Sequence, residues 1–103
     1  MTDFTTYPYA DISTAHVTKA DADLIAGLTN PQAIYGILSV YPTGWFCHVP
    51  TDDWSPDLVR EWESSGLSHA YIKVQRKLME AGISYARFDA DGHHVTGLPT
   101  FDW

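Results

Sequence analysis

The 103-residue chain carries 13 Asp and Glu against 6 Lys and Arg, a net charge of −7, with 14% aromatic residues and one cysteine. That length suits one domain spanning residues 1–103, and 45% apolar against 18% charged residues is too hydrophobic a mixture for intrinsic disorder. No apolar run approaches the roughly 20 residues of a membrane span, the polar start at Met1 lacks a signal peptide's basic and apolar regions, and a lone cysteine closes no internal disulfide, so a soluble cytoplasmic protein is expected.

No repeat or linker interrupts the chain. Tyr9–Thr14 reads as a first strand. Thr18-Lys-Ala-Asp21 has the spacing with which a hydroxyl and a carboxylate satisfy the open N–H groups of a helix start. Leu24, Ile25 and Leu28 follow at helical spacing, and Thr29-Asn-Pro31 ends that helix. Ile34–Tyr41 and Trp45–Val49 read as a hairpin turned at Pro42-Thr-Gly44. Ser55-Pro56-Asp57 starts a short helix: the serine caps, the proline sits where its missing N–H costs nothing, and the aspartate meets the positive end of the dipole. It stops near Ser65-Gly66.

A longer helix is expected over Ser68–Ala81, with Gly82 as a left-handed cap. Leu67, Tyr71, Val74, Leu78 and Ala81 form its inner stripe, and Lys73, Arg76, Lys77 and Glu80 its outer face. A second hairpin, Ile83–Asp89 with His93–Thr96, turns at Asp91-Gly92. The order β-α-β-β-α-α-β-β predicts an α+β fold: an antiparallel sheet from two hairpins and an N-terminal strand, with two or three helices packed on one face.

Three constellations could carry chemistry. Cys47 and His48 are adjacent in a strand, so their side chains point to opposite faces and cannot act as a pair; a buried thiol is the plainer reading. In the second hairpin Asp89 would stand opposite His94, two potential ligands where a structural zinc site wants four. In that pairing Arg87, Asp89 and His94 line the outer face. His16, between strand and helix among Ser13, Thr14 and Thr18, could belong to an anion pocket or simply to turn and capping chemistry. The sequence has no Gly-rich phosphate loop, nucleophile elbow or paired-cysteine motif, so neither catalytic residues nor a cofactor are expected.

Charge is uneven along the chain. Asp52, Asp53, Asp57, Glu61 and Glu63 face only Arg60 between residues 36 and 66, and residues 67–82 reverse the sign with Lys73, Arg76 and Lys77 against Glu80. Acidic balance argues against direct nucleic-acid binding, and 13 carboxylates are too few to copy a duplex, which over 30 Å carries about 18 charges. The acidic stretch, with Trp54 and Trp62 beside it, reads instead as a docking patch for a basic protein partner. Phe4, Tyr7, Tyr9, Phe101 and Trp103 would pin the two ends of the chain, or else form an exposed patch for a partner or a second copy.

Asp11-Ile-Ser-Thr-Ala-His16, Phe88-Asp-Ala-Asp-Gly92 and Leu98-Pro-Thr-Phe-Asp-Trp103 together resemble a bacterial domain-of-unknown-function family associated with plasmids and mobile elements. The resemblance spans nearly the whole chain and carries over no catalytic residues. It implies a small acidic accessory protein opposing host defence, an anti-restriction or anti-CRISPR inhibitor of a nucleoprotein. A small enzyme or ligand- or metal-binding domain centred on His16 or on the Asp89/His94 hairpin, and a structural homodimer, are the competing readings.

Overall fold

The computed structural model describes residues 3–50 and 55–103. Strand β1 (Tyr9–Ser13) leads through a 3-10 turn (Thr14–His16) into helix α1 (Lys19–Ala26). A second 3-10 turn (Pro31–Ala33) precedes the hairpin β2 (Ile37–Tyr41) and β3 (Gly44–His48). Helices α2 (Pro56–Ser65) and α3 (His69–Glu80) then lead to β4 (Tyr85–Asp89).

The helices start where local chemistry places them. Thr18 and Asp21 form a reciprocal capping box at α1. Ser55 accepts from the Leu58 N–H with Pro56 in the first turn of α2, and Ser68 accepts from the Tyr71 N–H at α3. Gly66 closes α2 in the left-handed region, at φ 100°. Gly82 takes a positive φ one residue past the Ala81 cap of α3. The Asp21 carboxylate also accepts from the Ser68 backbone N–H at 2.8 Å and from its hydroxyl, stapling the starts of α1 and α3 together at a buried position.

The sheet order is β1-β4-β3-β2. Both β2–β3 and β3–β4 pair antiparallel, but β1 runs parallel to β4, in register from Tyr9–Tyr85 to Ser13–Asp89. The sheet is therefore mixed, where two hairpins predicted an antiparallel one. Residues 93–96 form no strand, because β1 already occupies the edge of β4 that they would need. The chain instead turns sharply after β4: the Asp91 N–H donates to the Asp89 carboxylate and the Gly92 N–H to the Asp89 carbonyl. It then crosses the end of β1, where the Ser13 N–H donates to the His93 carbonyl at 2.9 Å. Gly92 passes so close that a Cβ there would lie 2.3 Å from the Ile12 backbone, which excludes any side chain.

Strand alternation divides the sheet into two faces. Ala10, Ala86, Cys47 and Ile37 form one inner row, and Ile12, Phe88, Trp45 and Val40 the next. Against them pack Ile25 of α1, Leu58 and Trp62 of α2, and Tyr71, Val74 and Leu78 of α3. Phe88 lies between Trp45 and Tyr71, with ring centroids 5.0 and 6.0 Å away, and Trp62 meets Tyr71 edge-on at 5.6 Å. All three helices contribute to this inner core, as the binary pattern predicts.

Candidate functional site

The opposite parity of the same strands builds the helix-free face. Tyr9, Tyr85 and His48 are cross-strand neighbours in one row; Asp11, Arg87, Phe46 and Ser39 form the next; Asp89, Gly44 and Tyr41 form the third. Tyr9 stacks on Phe46 at 5.7 Å and Phe46 on Tyr85 at 6.3 Å, while His48 and Tyr7 meet Tyr85 edge-on at 5.3 and 5.9 Å. Tyr7 and Tyr9 remain 61% and 49% exposed. Five ring side chains thus form one continuous layer over the sheet with solvent on its outer side.

The carboxylates and the guanidinium on this face are hydrogen-bonded. Arg87 grips Asp11 with two parallel bonds of 3.0 and 2.8 Å, and that carboxylate pushes the guanidinium pKa upward. The Asp89 carboxylate receives the Asp91 N–H at 2.9 Å, the Tyr41 hydroxyl at 2.8 Å and the Thr43 hydroxyl at 3.1 Å. These donors, the Asp91 N–H foremost, hold its pKa below the ordinary value against the opposing effect of burial. Tyr41 is pushed up to about 12, by burial first and then by its bond to Asp89, so its hydroxyl keeps its proton at neutral pH.

A second region lies beyond the carboxyl ends of β1 and β4, where residues 93–103 cross as a strap. His16 is fully buried there: its Nδ1 lies 2.8 Å from the Pro99 carbonyl, and its Nε2 accepts from the Val95 N–H at 2.8 Å. The second bond fixes the tautomer, so Nδ1 carries the proton and donates to Pro99. The Phe101 N–H donates to the Ala15 carbonyl and the Trp103 indole N–H to the Val17 carbonyl, at 2.7 and 3.0 Å. Two hollows, of about 290 and 220 Å³, flank Trp103 and share Thr14 and Ala90 in their walls.

Residues 9–103, from the first residue of β1 to the end of the strap, match the model for the C-terminal domain of DUF5983, a family of unknown function. The chain belongs to this family. Comparison with curated proteins and with solved structures gives no match.

The DUF5983 domain distributes the sequence-flagged residues differently from expectation. Asp52, Asp53 and Trp54 lie outside the described residues. Trp62 is not a docking tryptophan: it is 1% exposed, its ring packs in the core and its indole N–H donates to the Tyr35 carbonyl at 3.2 Å. Asp57, Glu61 and Glu63 are exposed on α2, but they do not share one face. At about 100° per residue, Asp57 and Glu61 fall on one flank and Glu63 roughly 160° from Glu61, with Arg60 between the flanks. Arg60 pairs with Asp57 at 2.7 Å. The expected acidic patch is thus split and partly neutralised among the described residues.

Nor does Asp89 face His94. Without the second hairpin the two belong to different surroundings: Asp89 is held by Tyr41 and Thr43, and His94 meets the His16 ring edge-on at 5.7 Å. Both nitrogens of His16 are engaged by backbone, so it acts as an anchor for the strap rather than as a ligand or anion receptor. Among the described residues no group of three or more His, Cys, Asp or Glu could hold a metal ion, and no helix is long and apolar enough to cross a membrane. Cys47 is buried, and burial pushes its thiol up to about 11, the opposite of activation.

Sequence reasoning missed the aromatic face. Its signal was present in the parity of the strands: Phe46 and His48 alternate with Trp45 and Cys47, and Tyr85 and Arg87 with Ala86 and Phe88. Both parities of β3 and β4 carry aromatics, one more than a sheet with a solvated outer face requires.

Proposed function

We propose that this domain is a protein-binding module that docks a cationic partner surface on the helix-free face of its sheet. The observation that carries this reading is the ring layer of Tyr7, Tyr9, Phe46, His48 and Tyr85, exposed to solvent on a chain of net charge −7. Tyrosine and phenylalanine faces attract guanidinium and ammonium groups through their quadrupoles, and the acidic domain draws such a partner in by its long-range field. The same charge opposes the homodimer reading, because two copies apposed on this face bring together two chains of −7. A basic nucleoprotein is the partner class that charge and rings fit. If the mobile-element association implied by the sequence resemblance holds, that partner is a component of host defence and the domain its inhibitor.

The test uses ¹H–¹⁵N NMR with a 12-residue Arg/Lys-rich peptide and a Glu-substituted counterpart as probes. The basic peptide should shift the resonances of Tyr9, Phe46, His48 and Tyr85, more strongly at low salt, and Phe46→Ser should weaken the response. A response confined to α2, one equal for the two peptides, or none at millimolar peptide overturns the proposal.

A further inference from the structure

The hollows beside Trp103 use none of the residues of the ring layer and carry a second inference. The larger is walled by Ala22, Ala26, Pro42, Trp45 and Trp103, and its volume of about 290 Å³ falls just under the range for drug-sized ligand sites, about 300–1,000 Å³, which suits a smaller molecule. The smaller hollow continues past Trp103 toward His94 and Phe101. The indole is held in place by its bond to the Val17 carbonyl, yet the residue is half exposed, so its ring is a fixed platform that solvent reaches.

Three polar side chains in the wall present acceptors. Tyr41 and Thr43 both spend their hydroxyl protons on Asp89, which leaves only lone pairs for anything bound beside them. Asp23 contributes a carboxylate, one oxygen of which is paired with Lys19 at 2.8 Å. Thr14 lines both hollows and is only 8% exposed, and its hydroxyl makes no hydrogen bond with the described residues. The hydroxyl oxygen is not sealed from solvent, so it is available to a bound group.

We infer that this cleft binds a small organic cation: a flat apolar body stacked on Trp103, with an ammonium or guanidinium head donating to Thr14, Tyr41, Thr43 and Asp23. The apolar wall accounts for the body, and the Asp23 carboxylate with the lone pairs of Tyr41 and Thr43 accounts for the head. An anion would meet the Asp23 carboxylate and, at Tyr41 and Thr43, hydroxyls whose protons are already given to Asp89. The ligand class follows from the wall alone and does not depend on the docking of a protein partner on the sheet face.

Phenethylamine, 2-phenylethanol and 3-phenylpropanoate, titrated separately into the full chain, test this by NMR. The amine should shift the Thr14 amide and the Trp103 indole N–H, binding more tightly than the alcohol, with the carboxylate weakest. Thr14→Val should weaken the amine about fivefold, the loss expected for one net hydrogen bond, and Thr14→Ser should retain it. Trp103→Ala should weaken it tenfold or more. Asp23→Asn should narrow the preference for amine over carboxylate. Phe46→Ser, which impairs the sheet face, should leave amine binding unchanged, separating this site from the proposed docking surface. Equal binding of the carboxylate, shifts remote from Thr14 and Trp103, or no shift at the solubility limit of the amine overturns the inference.

Discussion

Replacing His16 tests whether the strap is fastened by one buried imidazole. His16→Ala removes a fully buried ring, the proton donated to Pro99 and the acceptor of the Val95 N–H. Each hydrogen bond contributes about 1 kcal/mol net. Pro99 is exposed, so its carbonyl can regain water; Val95 is half-buried, so its N–H loses more. With one to two kcal/mol for the vacated volume, the loss is about 3 kcal/mol, a large share of a typical 5–15 kcal/mol domain stability. His16→Phe separates the contributions: it fills the volume but makes neither bond, and should cost about 2 kcal/mol. Urea unfolding gives the totals. Amide hydrogen exchange at Val95 and Phe101 reads the strap directly, and both amides should lose protection in either variant. A phenylalanine variant within 0.5 kcal/mol of wild type with both amides still protected would refute the anchoring role.

Three further outcomes follow from the same structure. Trp62→Ala should cost about 3–5 kcal/mol in urea unfolding, as for other buried large-to-small changes, whereas Asp57→Ala should stay within about 1 kcal/mol, because its bridge to Arg60 is 87% exposed on the Asp57 side and its place in the first turn of α2 adds only a surface dipole term; the reverse order would restore Trp62 as a surface residue. Asp89 has a lowered pKa in the folded state, so its contribution is complete above the ordinary carboxylate range and is lost as pH falls through the folded value. Asp89→Asn should therefore flatten the acid limb of a Tm-against-pH curve, and an unchanged limb would contradict the assigned bonds. Cys47, with its thiol pushed up to about 11 by burial, should react with a disulfide reagent at pH 8 only as fast as the protein unfolds; rapid modification of the native chain would show an opening the fold does not contain.

Local chemistry was legible where the partners are close in sequence. Thr18 and Asp21, Ser55 and Pro56, and Ser68 mark the helix starts because a cap is satisfied within three residues. The β2–β3 hairpin was legible for the same reason. The second hairpin does not form although Asp91-Gly92 is a good turn pair, because a turn does not by itself make the segments on either side of it pair. Here the turn serves to lead the chain across β1, and the edge of β4 goes to residues 76 positions earlier in sequence. Trp62 lies in the core and not at a docking patch, because acidic neighbours on a helix say nothing about the direction of the intervening side chain; Leu58, four residues before it, marks the buried stripe.

The sequence by itself determined the helices, the first hairpin, the α+β class and the acidic charge, since each rests on periodicity, capping or composition. Tertiary structure alone decided what the outer parity of the strands means. Tyr9, Phe46 and Tyr85 lie on three different strands, and they become one ring layer only through the parallel pairing of β1 with β4 and the antiparallel pairing of β3 with β4. Likewise His16 and Val95 meet only because the strap crosses the end of β1. Pairings of that kind are selected by the burial of the whole inner face, a sum over the chain that no local window contains.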